Sequence, residues 1–259
     1  MLEKLNQYRQ NLILPLRHKS AQTQFRFEWV DHLKQLQEVQ SFRATQFSNQ
    51  FGICFPDGLD QDLYDFGCEH AVLREKWTGE IVAYTRLKSF QSHEIGQSYS
   101  AQEFDVAPHL SHLGTIVEIG RTCVHPKFRT GKALSTLWMN LIPKVLWSMR
   151  AKYLMGCVSI HLEQNLARVY YTHRQIQQLA ANQSIEIASK HVFEPEHPKY
   201  SFTQDERMPK LFRTYLDMQA KLSKQAFYDE DFNCLDYFVL LEVNKIAASF
   251  VMNKRVQHL

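Results

Sequence analysis

The sequence predicts one mixed α/β domain in which helices flank a central β-sheet. Segments with strand-like and helix-like patterns alternate along the 259 residues, and 44% of the residues are hydrophobic. Residues 153–160 (YLMGCVSI) form a nearly continuous apolar run, which is typical of a buried central strand. Residues 134–149 place their apolar side chains along one stripe of a helix. These observations favour a sizeable core built around one sheet.

Charge, cysteine content and hydropathy exclude several classes of protein. The net charge of +3 is below the values usual for a dedicated nucleic-acid binder, so no nucleic-acid partner is predicted. Five cysteines without CxxC spacing argue against a disulfide framework or a thiolate zinc site, and no metal is predicted. No apolar run reaches the ~18 residues that span a bilayer, and the LILPL run near the N-terminus is too short for a signal peptide. We expect a cytoplasmic protein, with peripheral contact to the inner membrane left open.

The sequence divides into an N-terminal extension, residues 1–22, and a single domain, residues 23–259. Residues 24–30 alternate like a half-buried strand, and Asp31 is predicted to cap the helix that follows. The remaining predicted elements are a loop at 50–68, a hairpin over 70–88, an irregular polar segment at 89–114 and a strand at 115–124. After them come a helix over 134–149 that Pro143 should kink or adjust, a strand at 153–160, helices at 164–179 and about 209–225, and a strand at 237–243.

The stretch at residues 117–134 (VEIGRTCVHPKFRTGKAL) combines an apolar strand, a basic turn with a glycine, and the start of a helix. The first N–H groups of a helix are unpaired and the helix dipole favours negative charge there, so this arrangement suits a phosphate or pyrophosphate. It lacks both the GxxxxGK[ST] and the GxGxxG fingerprints. Taken alone, an ordinary basic loop remains an equal alternative.

The segment VHPKFRTGKA (124–133) resembles the cofactor-binding segment of the GNAT acyltransferase superfamily. The longer segment EIGRTCVHPKFR (118–129) closely resembles the motif ELGRSCVHPxYR of the bacterial ornithine–acyl-carrier-protein N-acyltransferases, which make lyso-ornithine lipid. Further similar segments occur in the family's order: QSFRATQFSNQFG (40–52), DLYDFGCEH (62–70), GEIVAYTRL (79–87), YSAQEF (99–104) and DEDFNCLDYFVLL (229–241). The resemblance covers about residues 24–250.

The resemblance implies a GNAT-like fold and N-acylation, in which an amine attacks a fatty acyl thioester and the phosphopantetheine thiol leaves. The implied acceptor is the α-amine of ornithine, and the implied cargo is a long-chain 3-hydroxyacyl group. No tightly bound cofactor is expected. The acyl-phosphopantetheine of acyl carrier protein, or acyl-CoA, is the implied cosubstrate, so acyl carrier protein and a small amino acid are the expected partners.

Specific residues match the positions that this chemistry needs. Glu118 is the carboxylate best placed to take a proton from the amine, and Arg121 is the second candidate catalytic residue. Backbone N–H groups near Cys123 and Val124 are candidates to stabilise the oxyanion. The candidates for the pantetheine phosphate are Arg129, Thr130, Gly131 and Lys132.

Charged residues at positions that match the family's segments are expected either to bind the amino acid or to pair internally. Arg43, Arg86 and Arg121 are candidates for the carboxylate of the substrate, and they are equally able to pair with Asp62, Asp65 or Glu103. Glu118 and Arg121 are three residues apart and point to opposite faces of a regular strand. They share a site only if the strand bulges, for which Gly120 is the expected place. Otherwise one of the two is structural.

The chain also departs from the superfamily pattern. The turn from Arg129 to Ala133 is one residue shorter than the usual R-x-x-G-x-[GA], which favours a donor borne by a carrier protein over plain coenzyme A. The sequence leaves the acylated amine open, so a synthase of another N-acyl amino acid or of an acyl-homoserine lactone is an alternative. A non-catalytic module that binds an acyl carrier or lipid is a second one.

Overall fold

The computed structural model describes residues 24–162, 166–182, 184–197 and 210–246. Within these ranges a mixed β-sheet has helices on both faces, which confirms the predicted fold class. The predicted N-terminal extension, residues 1–22, lies outside the described residues. No helix in the described ranges is long and apolar enough to cross a bilayer.

The described sheet has nine strands. They are β1 (Phe25–Val30), β2 (Glu69–Glu75), β3 (Ile81–Phe90), β4 (Ile116–Val124), β5 (Tyr153–His161), β6 (Ser184–Ile185), β7 (Lys221–Ser223), β8 (Phe227–Asp229) and β9 (Cys234–Glu242). Their spatial order is β1-β2-β3-β4-β5-β9-β7-β6, with β8 on β9. Neighbours pair antiparallel except for β4 with β5 and β6 with β7, which are parallel. The parallel pair β4–β5 lies at the centre of the sheet.

Helices cover both faces of this sheet. They are α1 (Leu33–Phe51), α2 (Ser100–Glu103), α3 (Ala107–Leu110), α4 (Lys132–Pro143), α5 (Leu166–Ala180) and α6 (Lys210–Asp217). One face packs against α4, α5 and α6 through a large apolar cluster. The opposite face packs against α1 near β2 and β3, and against the segment 90–110 near β5 and β9. Neighbouring strand residues serve opposite faces, as Ile116 and Val117 do.

The proline in the fourth helix produces the local adjustment that its sequence predicts. Helix α4 ends at Pro143, and a π-helical turn, Lys144–Ser148, continues it. The π-turn is closed by the hydrogen bond from Met149 N–H to the carbonyl of Lys144. Pro143 has no N–H to donate to the preceding turn, so the regular α-helical hydrogen-bond pattern is interrupted there. The wider π-helical turn follows directly after it.

Three elements differ from the sequence prediction. His32 rather than Asp31 is the N-cap of α1, because His32 has the extended backbone and its Nδ1 accepts from Gln35 N–H. The segment 89–114 is not irregular: it forms a 3-10 turn and two short helices whose sparse apolar residues are buried. The helix predicted over 209–225 ends at Asp217, where Gln219 takes a left-handed conformation and the chain enters β7.

Candidate active site

A cleft of about 1130 Å³ opens where β4 and β5 separate. These strands pair only over their first three residues, with Glu118 opposite Met155 as the last pair. Gly156 lies at the point where β4 and β5 begin to separate, which we call the vertex. A Cβ at Gly156 would stand 2.4 Å from the carbonyl oxygen of Ile119. Only glycine allows the strands to approach this closely before they separate.

A β-bulge turns two charged residues of β4 into the same cleft. Arg86 pairs with Gly120 and Tyr84 pairs with Cys123, so Thr85 alone faces two residues of β4. Arg121 has a φ of 52°, which is left-handed. The bulge therefore lies just after Gly120, not at it, and both Glu118 and Arg121 line the cleft.

Glu118 is buried and held by three donors. Its carboxylate accepts from Tyr99 N–H at 2.9 Å, from Ser100 N–H at 2.7 Å and from the Ser100 hydroxyl at 2.6 Å. Burial raises the pKa of Glu118, while these hydrogen bonds and the nearby Arg86 act in the opposite direction. Glu118 thus combines two properties: it fixes the start of α2 and it holds a proton more readily than an exposed glutamate.

Three arginines meet three aspartates on one wall of the cleft, and Arg43 is the innermost of them. Arg43 is fully buried, pairs with Asp60 at 2.8 Å and Asp65 at 2.7 Å, and donates to the hydroxyl of Tyr84. Arg43 does not line the cleft. Its guanidinium holds the pKa of Asp65 well below the usual range, against the opposing effect of burial. These contacts match the internal-pairing alternative for Arg43 and Asp65.

The other two arginines reach the cleft surface. Arg86 pairs with Asp62 at 2.6 Å and with Asp65 at 2.8 Å. Arg121 lies 3.2 Å from Asp62 Oδ2, and its guanidinium stacks 4.9 Å from the ring centre of Phe232. The Nε of Arg121 is buried and lies 3.5 Å from Asp60 Oδ2. Arg121 therefore has two aspartate partners, and its side chain also lines the cleft.

The end of β4 and the start of α4 carry the residues that the sequence predicts to bind the phosphate and to stabilise the oxyanion. Cys123 is buried in the core on the α1 side, and burial raises the pKa of its thiol, so its side chain is not a nucleophile. His125 N–H bonds to β3, so the N–H of Val124, one residue earlier, points to the open edge of β4. Arg129 donates through Nε to the carbonyl of Val124 at 2.9 Å.

The turn that follows is exposed at the helix N-terminus. Thr130, Gly131 and Lys132 are all exposed, and Gly131 caps α4 with a φ of 92°. A left-handed conformation of this kind favours glycine. The predicted turn therefore lies just beyond the end of β4, and the backbone of the turn is accessible to solvent.

An apolar cavity adjoins the cleft. It lies between the sheet and helices α4 and α6. Its wall includes Trp138, Leu141 and Val239. Ile119, Gly156 and Tyr215 line both this cavity and the cleft. The cavity and the cleft are therefore neighbours at the point where β4 and β5 separate.

The opposite wall of the cleft is acidic. Asp229 and Asp236 line it, and one ligand atom from each lies within 4.8 Å of the other and of the Cys234 sulfur. Burial and the neighbouring Asp229 raise the pKa of Asp236 to about 6. Glu103 is buried behind this wall. Together these groups form a site whose charge suits a cation.

The structure brings some of the predicted residues together and leaves others apart. Of the predicted residues, Glu118, Arg121 and Arg86 line the cleft. Asp62 supports the arginines from behind. Residues that sequence reasoning missed are Asp60, Tyr99, Ser100, Asp229 and Asp236. The signal was present, since all but Asp60 occur in the family-like segments 99–104 and 229–241, but spacing along the chain did not show that these segments meet.

Comparison with known proteins places the chain among acyltransferases. Residues 42–139 match the family described as an acetyltransferase (GNAT) domain. An L-ornithine N(alpha)-acyltransferase of Rhodobacter capsulatus is 26% identical and covers 83% of this chain and 88% of that protein. One of Agrobacterium fabrum is also 26% identical, over 74% of this chain and 70% of that protein. Among solved structures, FeeM, an N-acyl amino acid synthase from uncultured soil microbes, matches 85% of this chain and 92% of that chain, with 8% identity and a TM-score of 0.48.

Proposed function

We propose that this chain, which is similar to GNAT acyltransferases, transfers a long-chain 3-hydroxyacyl group from acyl carrier protein to the α-amine of ornithine. This would be the first step of ornithine lipid synthesis. The named activity of the similar proteins supports the acceptor. The observation that supports the proposal best is that an apolar cavity adjoins a charged cleft, with Ile119, Gly156 and Tyr215 lining both. A fatty acyl chain and an amino acid fit these two chambers and meet at one point.

In the proposed reaction the amine nitrogen attacks the thioester carbonyl carbon. A C–N bond forms, the C–S bond breaks, and the thiol of the donor leaves with a proton. Glu118 accepts the proton that the ammonium must lose before attack. The raised pKa of Glu118, caused by burial, makes it a stronger base than an exposed glutamate.

The remaining groups of the cleft bind charge. The N–H of Val124 on the open edge of β4 donates to the oxyanion that develops on the carbonyl. The guanidinium of Arg121, which lines the cleft, takes the carboxylate of the amino acid. The exposed turn with Gly131 and Lys132 binds the pantetheine phosphate at the N-terminus of α4.

The donor is proposed to be a carrier protein because the turn is short and basic. The loop between Arg129 and Lys132 offers one residue fewer than the superfamily turn for enclosing a pyrophosphate. Lys127, Arg129 and Lys132 are exposed together at the open end of the cleft. Such a group of cations suits an acidic carrier protein.

The test is a product assay by mass spectrometry. Purified protein is mixed with 3-hydroxypalmitoyl carrier protein and a pool of amino acids, and parallel reactions use the coenzyme A thioester. We expect N-acylornithine from the carrier-borne donor. A product with another amine would replace the acceptor, and no product from either donor would contradict N-acylation.

The same assay tests whether Glu118 acts as the catalytic base. Glu118→Gln should lower kcat about 100-fold or more, because an amide cannot accept the proton. Affinity for the acyl donor should be unchanged. Glu80→Gln, an exposed glutamate in the β2–β3 hairpin, is the matched control and should retain full activity. Since Glu118 also holds Tyr99 and Ser100, circular dichroism must show that the variant is folded. A folded variant with undiminished kcat would remove Glu118 from this role.

A further inference from the structure

The acidic wall of the cleft lacks cationic partners of its own. Asp229 accepts from Phe232 N–H at 2.9 Å, and Asp236 is 3.5 Å from the sulfur of Cys234. Among the described residues, no lysine, arginine or histidine lies within 4.0 Å of either carboxylate. By contrast, each arginine on the opposite wall has an aspartate partner. The charge balance is therefore incomplete on one side only.

Glu103 provides a second and independent observation. Its side chain is 97% buried, and neither carboxyl oxygen has a well-formed hydrogen bond. The carboxyl lies against the thiol of Cys157 and near Asp236, two groups that line the cleft. A buried carboxyl beside other carboxylates, without donors, is costly unless a ligand supplies positive charge.

The chemistry of the wall favours an ammonium group over a metal ion. An ammonium presents three N–H donors, which the carboxylates of Asp229 and Asp236 can accept. The sulfur of Cys234 would have to be a thiolate to bind a metal. Burial raises the pKa of this thiol, which disfavours the thiolate unless a metal ion is bound. A protonated thiol is compatible with an ammonium neighbour.

We propose that Asp229 and Asp236, with Glu103 behind them, bind the side-chain ammonium of a diamino acid and so select ornithine over neutral amino acids. This inference rests on the proposed function, since it concerns the acceptor of the same reaction. Arg121, on the opposite wall, takes the carboxylate end of the same molecule. The cleft thus binds the carboxylate of the acceptor at Arg121 and its side-chain ammonium at Asp229 and Asp236. The α-amine then lies near Glu118.

The experiment compares ornithine with norvaline, which has the same carbon chain and lacks only the terminal amine. The readout is the ratio of kcat/KM for the two acceptors. For the wild type we expect a preference for ornithine of about 100-fold. Asp236→Asn should reduce this preference to less than about tenfold. Asp229→Asn is the second variant, and Asp231→Asn, exposed and two residues away, is the control that should keep the preference.

Calorimetric binding of ornithine and norvaline without acyl donor separates this inference from the proposed function. If neither acceptor is acylated, the proposed function fails. Tighter binding of ornithine that Asp236→Asn abolishes would still support the ammonium site. Equal binding of the two, or an equal loss of both in the variant, would overturn it. Zinc- or manganese-dependent binding that a chelator reverses would also overturn it, in favour of a metal site.

Discussion

At the scale of single residues, Glu103 is the group whose ionisation opposes folding most clearly. Burial and the nearby Asp236 raise the pKa of Glu103 from 4.5 to about 9. In the unfolded chain this carboxyl releases its proton near pH 4.5, whereas the folded protein retains it. The unfolded state therefore binds fewer protons between these values, and stability falls as pH rises through that window. A folded protein keeps such a group only where a ligand or a reaction requires it.

Glu103→Gln should remove this pH dependence. The amide has similar shape and no charge to bury, so the variant should be more stable at pH 8, with a melting temperature several degrees higher. Between about pH 6.5 and 9 the wild type should lose stability with rising pH while the variant stays level. The buried histidines His70 and His173 have lowered pKa values and add no slope in this window. Differential scanning calorimetry across the window measures the effect.

The control for this prediction is a glutamate with no burial. Glu80→Gln in the exposed hairpin should leave the slope of the wild type unchanged. Parallel slopes for the wild type and Glu103→Gln would show that Glu103 is ionised in the folded protein.

At the scale of secondary-structure elements, the geometry of β4 and β5 determines the site. Their contact at Ile119 and Gly156 sets where the strands separate. The bulge after Gly120 then rotates Arg121 into the gap. Neither strand could supply the site if it paired with its neighbour along its full length.

Gly156→Ala tests the vertex. The added Cβ would meet the backbone oxygen of Ile119 at 2.4 Å, and a backbone atom cannot rotate away. We expect a loss of about 1–3 kcal/mol in the free energy of unfolding, together with a large loss of activity. Gly96→Ala is the matched control, because its Cβ would meet only Ala107 Cβ at an ordinary 3.9 Å. Urea denaturation of both variants measures the difference. Equal stability of the two would show that the vertex can relax.

The sequence predicted these elements unevenly, for physical reasons. Strand β4, the basic turn and α4 were predicted because apolar periodicity and a motif both identify them. The need for a bulge followed from the spacing of Glu118 and Arg121, although its place was off by one residue. The segment 89–114 was mispredicted because its one-turn helices are too short to show a period. The acidic wall could not be predicted, since Glu103 in α2 and Asp236 in β9 are far apart along the chain and meet only in the folded structure.

At the scale of the whole molecule, the separation of β4 from β5 divides the sheet into two parts. Strands β1–β4 carry the arginine–aspartate wall, and β5, β8 and β9 carry the apolar and acidic walls. The apolar cavity lies beneath the second part, under α4 and α6. If it receives the acyl chain, its depth limits the chain length that the enzyme accepts.

Val239→Phe tests this limit. Val239 pairs with Gly156 and lines the apolar cavity, so a phenylalanine ring would occupy empty space and shorten the path for the chain. We expect the preferred acyl donor to become shorter by several carbons, at a cost of about 1–3 kcal/mol of stability because Val239 is itself packed in the core. Val169→Phe is the control: it makes the same change where α5 packs against the core, outside the cavity. This variant should cost about 1–3 kcal/mol of stability and leave the preference for acyl chain length unchanged. A competition assay with donors from C8 to C18 measures the profile. An unchanged profile in Val239→Phe would place the acyl chain elsewhere, while the charged cleft would keep its role.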